Sequence, residues 1–200
     1  MKFAKIRMVD PENDADDILR VYAPYIENTA ITFETVVPDS SEFEQRIKTI
    51  CARFPYLVCT LENTMNTIVG YAYAGEQRKR SAYQWNVELS VYVKQEWTGR
   101  GIGKALYRAL LEILKLQNYQ NVYSGMTLPN PASEKLHKYF GFTHLGTWHH
   151  TGFKFGRWHD VAWYEKRLGD RPFDPIPPSS IDKIPFDKIS EILHKSETFC

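Results

Sequence analysis

Cysteine is scarce in this chain: Cys51, Cys59 and Cys200 are an odd number at unrelated spacings. That pattern excludes a disulfide framework and points to a reducing compartment. An excess of either charge is missing too. There are 25 basic and 24 acidic residues, a net charge of +1, so neither nucleic acid nor a bilayer is an expected partner. No apolar run approaches the ~20 residues of a membrane span. The opening M-K-F-A-K-I-R-M-V-D lacks the apolar core of a secretory signal. No internal repeat is visible. These absences together predict a cytoplasmic protein.

What is present suits a packed core. Of the 200 residues, 43% are hydrophobic and 14% aromatic, enough for one domain with an appendage. Composition sets the boundary: five of the eleven prolines lie beyond Leu168. The expected division is a domain over 1–168 and a proline-rich extension over 169–200. Within the extension, Ile189, Ile192 and Leu193 give Asp187 to Lys195 one apolar face. Such a short helix is marginal alone, so it is expected to dock on its own domain or on a partner subunit.

Periodicity places the other elements. Residues 2–9 alternate as a first strand. Asp10-Pro11 is an N-cap with proline at the first helical position, and Ile18, Val21, Tyr22, Tyr25 and Ile26 form the helix's apolar face. Pro24 is expected to kink or end that helix. Ser41-x-x-Glu44 forms a capping box before a second helix. Tyr56–Leu61 and Ile68–Ala74 are strands about a turn at 62–67. Val87, Leu89, Val91 and Val93 alternate on a fourth strand. Val122–Leu128 is a fifth, Pro131–Phe140 a short helix, and two last strands lie around Thr143–Phe155 and Trp158–Arg167. Pattern alone supports a mixed α/β domain.

The most informative stretch is Trp85 to Leu106. A strand ends in V-Y-V, then Gly99, Gly101 and Gly103 precede a helix whose apolar face carries Ile102, Ala105, Leu106 and Ala109. Glycine lets backbone approach a ligand, and an open helix start offers unpaired N–H groups and partial positive charge, a site for phosphate. A tight turn that only caps the helix is the plainer explanation. G-x-G-x-G fits neither the dinucleotide-binding nor the Walker pattern.

The run T-G-R-G-I-G after this strand resembles the acetyl-coenzyme A loop of the GCN5-related N-acetyltransferases, with Thr98, Gly101 and Gly103 at the positions of Gln/Arg-x-x-Gly-x-Gly/Ala. Ala82-Tyr83-Gln84-Trp85 before Glu88 adds to the likeness. So do Leu128-Pro129-Asn130 with Ser133, His137 and Gly141-Phe142, and the run Gly152 to Val161. The combination resembles the phosphinothricin and methionine sulfone/sulfoximine acetyltransferase branch over roughly residues 3–168. The resemblance implies a mixed, mostly antiparallel sheet of about seven strands flanked by helices, in the order βααβββαβαββ. It implies acetyl-coenzyme A held by Val91, Tyr92, Val93, Thr98, Gly99, Arg100, Gly101, Ile102, Gly103, Lys104, Asn130 and Ser133. It implies an acceptor pocket with Phe33, Arg80 and Tyr83, and a homodimer. Lys154, in the last hairpin, is expected to complete that pocket as a substrate-binding residue or to lie in a dimer interface.

Acetyl transfer to an amine needs a deprotonated amine, a polarised thioester and close approach. Glu88, a carboxylate on a mostly apolar strand, is the expected general base. It could also be merely a surface or ion-paired glutamate. His137 is the expected auxiliary, although a lone histidine is more often structural. Arg80 is preferred over Arg78 and Lys79 as a clamp for a substrate carboxylate. Cys51 and Cys59 lie in helix and strand patterns, where buried cysteine is inert. His159 beside Asp160 suggests a hydrogen-bonded pair. No other His or Cys has ligand spacing to it, so no metal is expected. The expected activity is transfer of acetyl from acetyl-CoA to the α-amine of a small amino acid such as phosphinothricin, methionine sulfone or methionine sulfoximine. The alternatives are an acetyltransferase for another amine, including a protein N-terminus, and a non-catalytic acyl-coenzyme A-binding module.

Overall fold

The computed structural model describes residues 3–62 and 67–199. Lys2 of the expected first strand, residues 63–66 of the expected turn and Cys200 lie outside them. The elements are β1 (Phe3–Met8), α1 (Pro11–Asn28), α2 (Ser40–Cys51), β2 (Tyr56–Leu61), β3 (Ile68–Glu76), β4 (Asn86–Val93), α3 (Ile102–Leu116), β5 (Asn121–Thr127), α4 (Pro131–Tyr139), β6 (Thr143–Lys154), β7 (Arg157–Arg167), α5 (Phe186–Ser196) and β8 (Thr198–Phe199). Up to β7 the order is the expected βααβββαβαββ. The extension adds α5 and a two-residue strand.

Local chemistry explains the boundaries, with two corrections. Asp10 caps α1 by accepting from the Glu12 and Asn13 N–H groups, with Pro11 in the first turn. The helix does not end at Pro24 but runs on to Asn28, held by the packing of Tyr22, Tyr25 and Ile26. The capping residue of α2 is Asp39, which accepts from the Glu42 N–H, so the helix starts one residue before the expected Ser41 box. Asp39 wins because a carboxylate is the stronger acceptor at a helix start.

The sheet order is β6-β7-β5-β4-β3-β2-β1-β8. Among the described pairs only β4–β5 is parallel. Every residue of β2 is buried, because helices cover both faces there. On one face Leu57, Cys59 and Leu61 join the cluster built on α3. On the other, Tyr56 and Val58 join that of α1 and α2. The second cluster is aromatic: Tyr71 stacks between Tyr56 and Tyr92, at ring separations of 5.7 and 5.3 Å. No described helix is long and apolar enough to cross a membrane.

The extension docks on its own domain. Ile181, Ile189 and Leu193 are buried in the α3 cluster. Ser179 and Gln117 exchange two hydrogen bonds, of 2.9 and 2.8 Å. β8 pairs with β1 through Phe3–Phe199 and Ala4–Thr198, covering the sheet edge. Deleting a buried isoleucine side chain typically costs about 2–5 kcal/mol. Ile189→Ala should therefore lower unfolding free energy by that amount while chaotrope unfolding remains one transition. A separate early transition would show that the extension is not part of the core.

Candidate active site

Three rungs join β4 to β5: Asn86–Asn121, Val87–Val122 and Glu88–Tyr123. Beyond them β4 continues against β3 and β5 against β7, and the two strands no longer pair with each other. Alternate backbone groups of Leu89 to Val93 therefore face the opening rather than a neighbouring strand. At its mouth lies a cavity of about 430 Å³ lined by Gln77, Arg78, Glu88, Tyr123, Trp148 and Trp163, with Leu145 and Gly146 at one wall.

Glu88 and Tyr123 are direct neighbours on the last rung and both line this cavity. Burial pushes the Glu88 carboxyl above the usual carboxylate range, because desolvation penalises its charged form. Trp163 lies across Gly125, where a Cβ would be 3.3 Å from the indole. Its Nε1–H is buried and finds no hydrogen-bond partner among the described residues. Tyr123 and Trp163 were not anticipated. Their place depends on register across the sheet, which a single strand's pattern does not carry.

The β3–β4 connection brings Arg78 to the cavity, its guanidinium 5.6 Å from the Tyr83 ring. Arg80 caps the 3-10 turn Ser81–Tyr83 from an exposed position and is not among the lining residues. His137 is buried and lies away from the lining. Its Nδ1 donates to the Ser133 carbonyl at 2.7 Å and its Nε2 meets the Tyr107 hydroxyl at 3.3 Å. Burial lowers its pKa, so it stays neutral among Tyr107, Phe142 and Tyr164.

The glycine turn is open at the helix start. Gly99 and Gly101 hold φ of 75° and 88°, a region that suits glycine. Gly101 is the N-cap of α3 and contributes no side-chain bond, leaving first-turn N–H groups outward. Gly103 has only Leu136 near a would-be Cβ, at 3.7 Å. Ile102 is buried beneath the turn. Arg100 stacks on Trp97 and Lys104 on Tyr139, 4.7 and 3.8 Å from the rings. The Thr98 hydroxyl is turned to the Gln95 carbonyl at 2.9 Å. Asn130 caps α4 by accepting from the Ser133 N–H at 3.1 Å, and the Val93 carbonyl accepts from the Tyr25 hydroxyl.

Away from that cavity, Thr32 and Phe33 meet the last hairpin. A Cβ at Gly152 would lie 2.2 Å from the Phe33 ring, so only glycine admits Phe33. Lys154 is buried and donates to the Thr32 carbonyl at 2.9 Å. Burial lowers its pKa. It lines a second cavity with Ile26, Glu27, Thr35, Phe153 and Phe155, not the one with Glu88. The expected His159–Asp160 pair does not form. Asp160 accepts from His149 Nδ1 and the His150 N–H, both at 2.8 Å, and His159 Nε2 donates to the Lys154 carbonyl. Adjacent residues on a strand point to opposite faces, which separates the two. Burial pushes the Cys51 thiol up to about 11, so it is not a nucleophile at neutral pH.

Residues 6–163 match the family model described as acetyltransferase (GNAT) domain. A phosphinothricin N-acetyltransferase from Streptomyces coelicolor is 38% identical over 158 residues, covering 78% of this chain and 92% of the relative. An L-methionine sulfoximine/L-methionine sulfone acetyltransferase from Pseudomonas paraeruginosa is 32% identical over 159 residues, covering 78% and 90%. A crystal structure of a GNAT superfamily phosphinothricin acetyltransferase from Sinorhizobium meliloti in complex with AcCoA superposes with a TM-score of 0.82. It is 32% identical and covers 90% of this chain and 97% of that one.

The raised Glu88 pKa has a consequence for stability. A carboxyl that is harder to ionise when folded favours folding below its unfolded pKa, and that contribution is lost as pH rises through the folded value. At neutral pH the ionised carboxylate opposes folding. Glu88→Gln should thus stabilise the protein more at pH 7 than at pH 4, read from melting temperatures at both. An equal effect at both would contradict a perturbed Glu88.

Proposed function

The chain belongs to the GNAT acetyltransferase family, and from that premise we propose its substrates and mechanism. It moves an acetyl group from acetyl-CoA to the α-amine of a small amino acid of the phosphinothricin or methionine sulfone/sulfoximine kind. The amine attacks directly in a ternary complex, with Glu88 as general base. The observation that carries this reading is Glu88 on the last rung before β4 and β5 part, lining a cavity with Arg78.

The chemistry follows from those groups. An α-amine is largely ammonium at neutral pH, and only the free amine attacks a thioester. A partly desolvated carboxylate is a stronger base, so the burial that raises Glu88 also suits it to take that proton. Arg78 supplies a cation for the substrate carboxylate. Arg80, on the same connection but outside the cavity lining, is the second candidate. The outward first-turn N–H groups of α3 suit a pyrophosphate, and the unpaired edge of β4 suits an amide-bearing arm alongside it. The names of the relatives support the acceptor class. A non-catalytic module would need the extension as its interaction element, and the extension packs against its own domain.

Two experiments test this. Gly101→Val sets a branched side chain at the N-cap of α3, where φ is 88°, among the outward N–H groups. It should leave the protein folded yet weaken acetyl-CoA at least tenfold, about 1.4 kcal/mol, by calorimetry. Unchanged affinity would refute the turn assignment. Glu88→Gln should lower kcat by about 10²–10⁴-fold with acetyl-CoA affinity nearly intact, and should flatten the acidic limb of the pH–rate profile. His137→Ala should cost less at the same pH. If the losses are reversed, His137 is the base.

A further inference from the structure

The family match ends at residue 163, before the extension begins, yet the extension's first residues grip the closed end of the β4–β5 cleft. Leu168 and Gly169 both donate to the Gln120 carbonyl, at 2.8 and 3.4 Å. A Cβ at Gly169 would lie 2.1 Å from Gln120 Oε1, so a side chain there would displace the Gln120 amide. Arg171 then takes φ of 51°, a left-handed conformation that a non-glycine residue keeps only when its surroundings hold it. Its backbone N–H donates to Gln120 Oε1 at 3.0 Å. Its Nε and Nη2 both donate to Asn121 Oδ1, at 3.0 and 2.5 Å. Asn121 Nδ2 in turn donates to Asn86 Oδ1 at 2.8 Å. Trp85, just before β4, donates from Nε1 to the Ile176 carbonyl at 2.9 Å.

Asn86–Asn121 is the first of the three rungs, and Glu88–Tyr123 is the last. They are two residues apart, about 7 Å along the strands. With so few rungs, the separation of Glu88 from Tyr123 depends on how firmly the first rung is held. We propose that residues 169–176 clamp the closed end of this cleft, and that Arg171 is a positioning residue for acetyl transfer, acting through Asn121 and Asn86. Arg171 lies near the cavity in charge as well as in bonding. Burial and Glu165 raise the Tyr123 phenol, while Arg171 pulls it down. The proposal rests on the reading of Glu88 as base.

The test uses the full-length enzyme with phosphinothricin and methionine sulfoximine as acceptors, following thiol release. Small displacements of reacting groups cost up to about 10²-fold. Arg171→Ala should lower kcat roughly tenfold and leave the KM for acetyl-CoA within about twofold. As the cleft loosens, water reaches Glu88 and its pKa falls, so the acidic limb of kcat should move to lower pH. The other groups facing Glu88 are Arg78 on the connection, Tyr73 on β3, Tyr107 on α3 and Tyr123 on β5. None of these is altered. Arg171→Ala should add nothing in an Asn121→Ala background, because both break one chain of bonds. Should Arg171→Ala not fold, Arg171→Lys, which keeps the charge but loses the forked donor, is read in the same way. A lower melting temperature with kcat and acidic limb unchanged would overturn the clamp. Glu88→Gln, run in parallel, separates the two ideas. If it keeps the wild-type rate and limb, the base assignment fails. If it is inactive while the Arg171 variants behave as wild type, only the clamp fails.

Discussion

Everything at the site depends on a parallel pairing that stops after three rungs. A sheet that stayed closed would satisfy every backbone group of β4 and β5 and leave no room between them. Here the strands are tied at Asn86–Asn121 and separate past Glu88–Tyr123. Each is then held by its outer neighbour, β3 or β7. The split leaves polar backbone without a neighbouring strand, which is costly in a sheet interior.

The rest of the molecule makes that split rigid. β3 and β2 behind β4 are buried on both faces, and the tyrosine layer of α1 and the sheet leaves β4 little freedom on its closed side. The acidic residue is placed where this packing meets the opening. It is desolvated enough that its carboxyl is harder to ionise, yet it still lines a cavity. Ionising it there costs stability.

Much of the fold was legible in the sequence, for identifiable reasons. Alternation of Val87, Leu89, Val91 and Val93 fixed β4 because one face is apolar. The face of Ile102, Ala105, Leu106 and Ala109 fixed α3 because that helix is buried against the sheet. Motif resemblance fixed the element order. What stayed hidden depends on distance across the fold. Asp39 rather than Ser41 caps α2, because two acceptors competed within three residues. Pro24 was absorbed by tertiary packing. Arg78 rather than Arg80 reaches the cavity, a difference set by the path of one turn. His159 and Asp160 part because neighbours on a strand face opposite ways. His137 looked suited to chemistry and to packing, and its contacts through both nitrogens, to the Ser133 carbonyl and the Tyr107 hydroxyl, depend on the fold.

The bond from Lys154 to the Thr32 carbonyl joins residues 122 positions apart. Contacts of such separation close a long loop and are among the slow steps of folding. During synthesis the segment carrying Phe33 emerges early but has no Gly152 to rest on until nearly four-fifths of the chain is made. Residues made early in translation therefore find their place only after the last hairpin has been made.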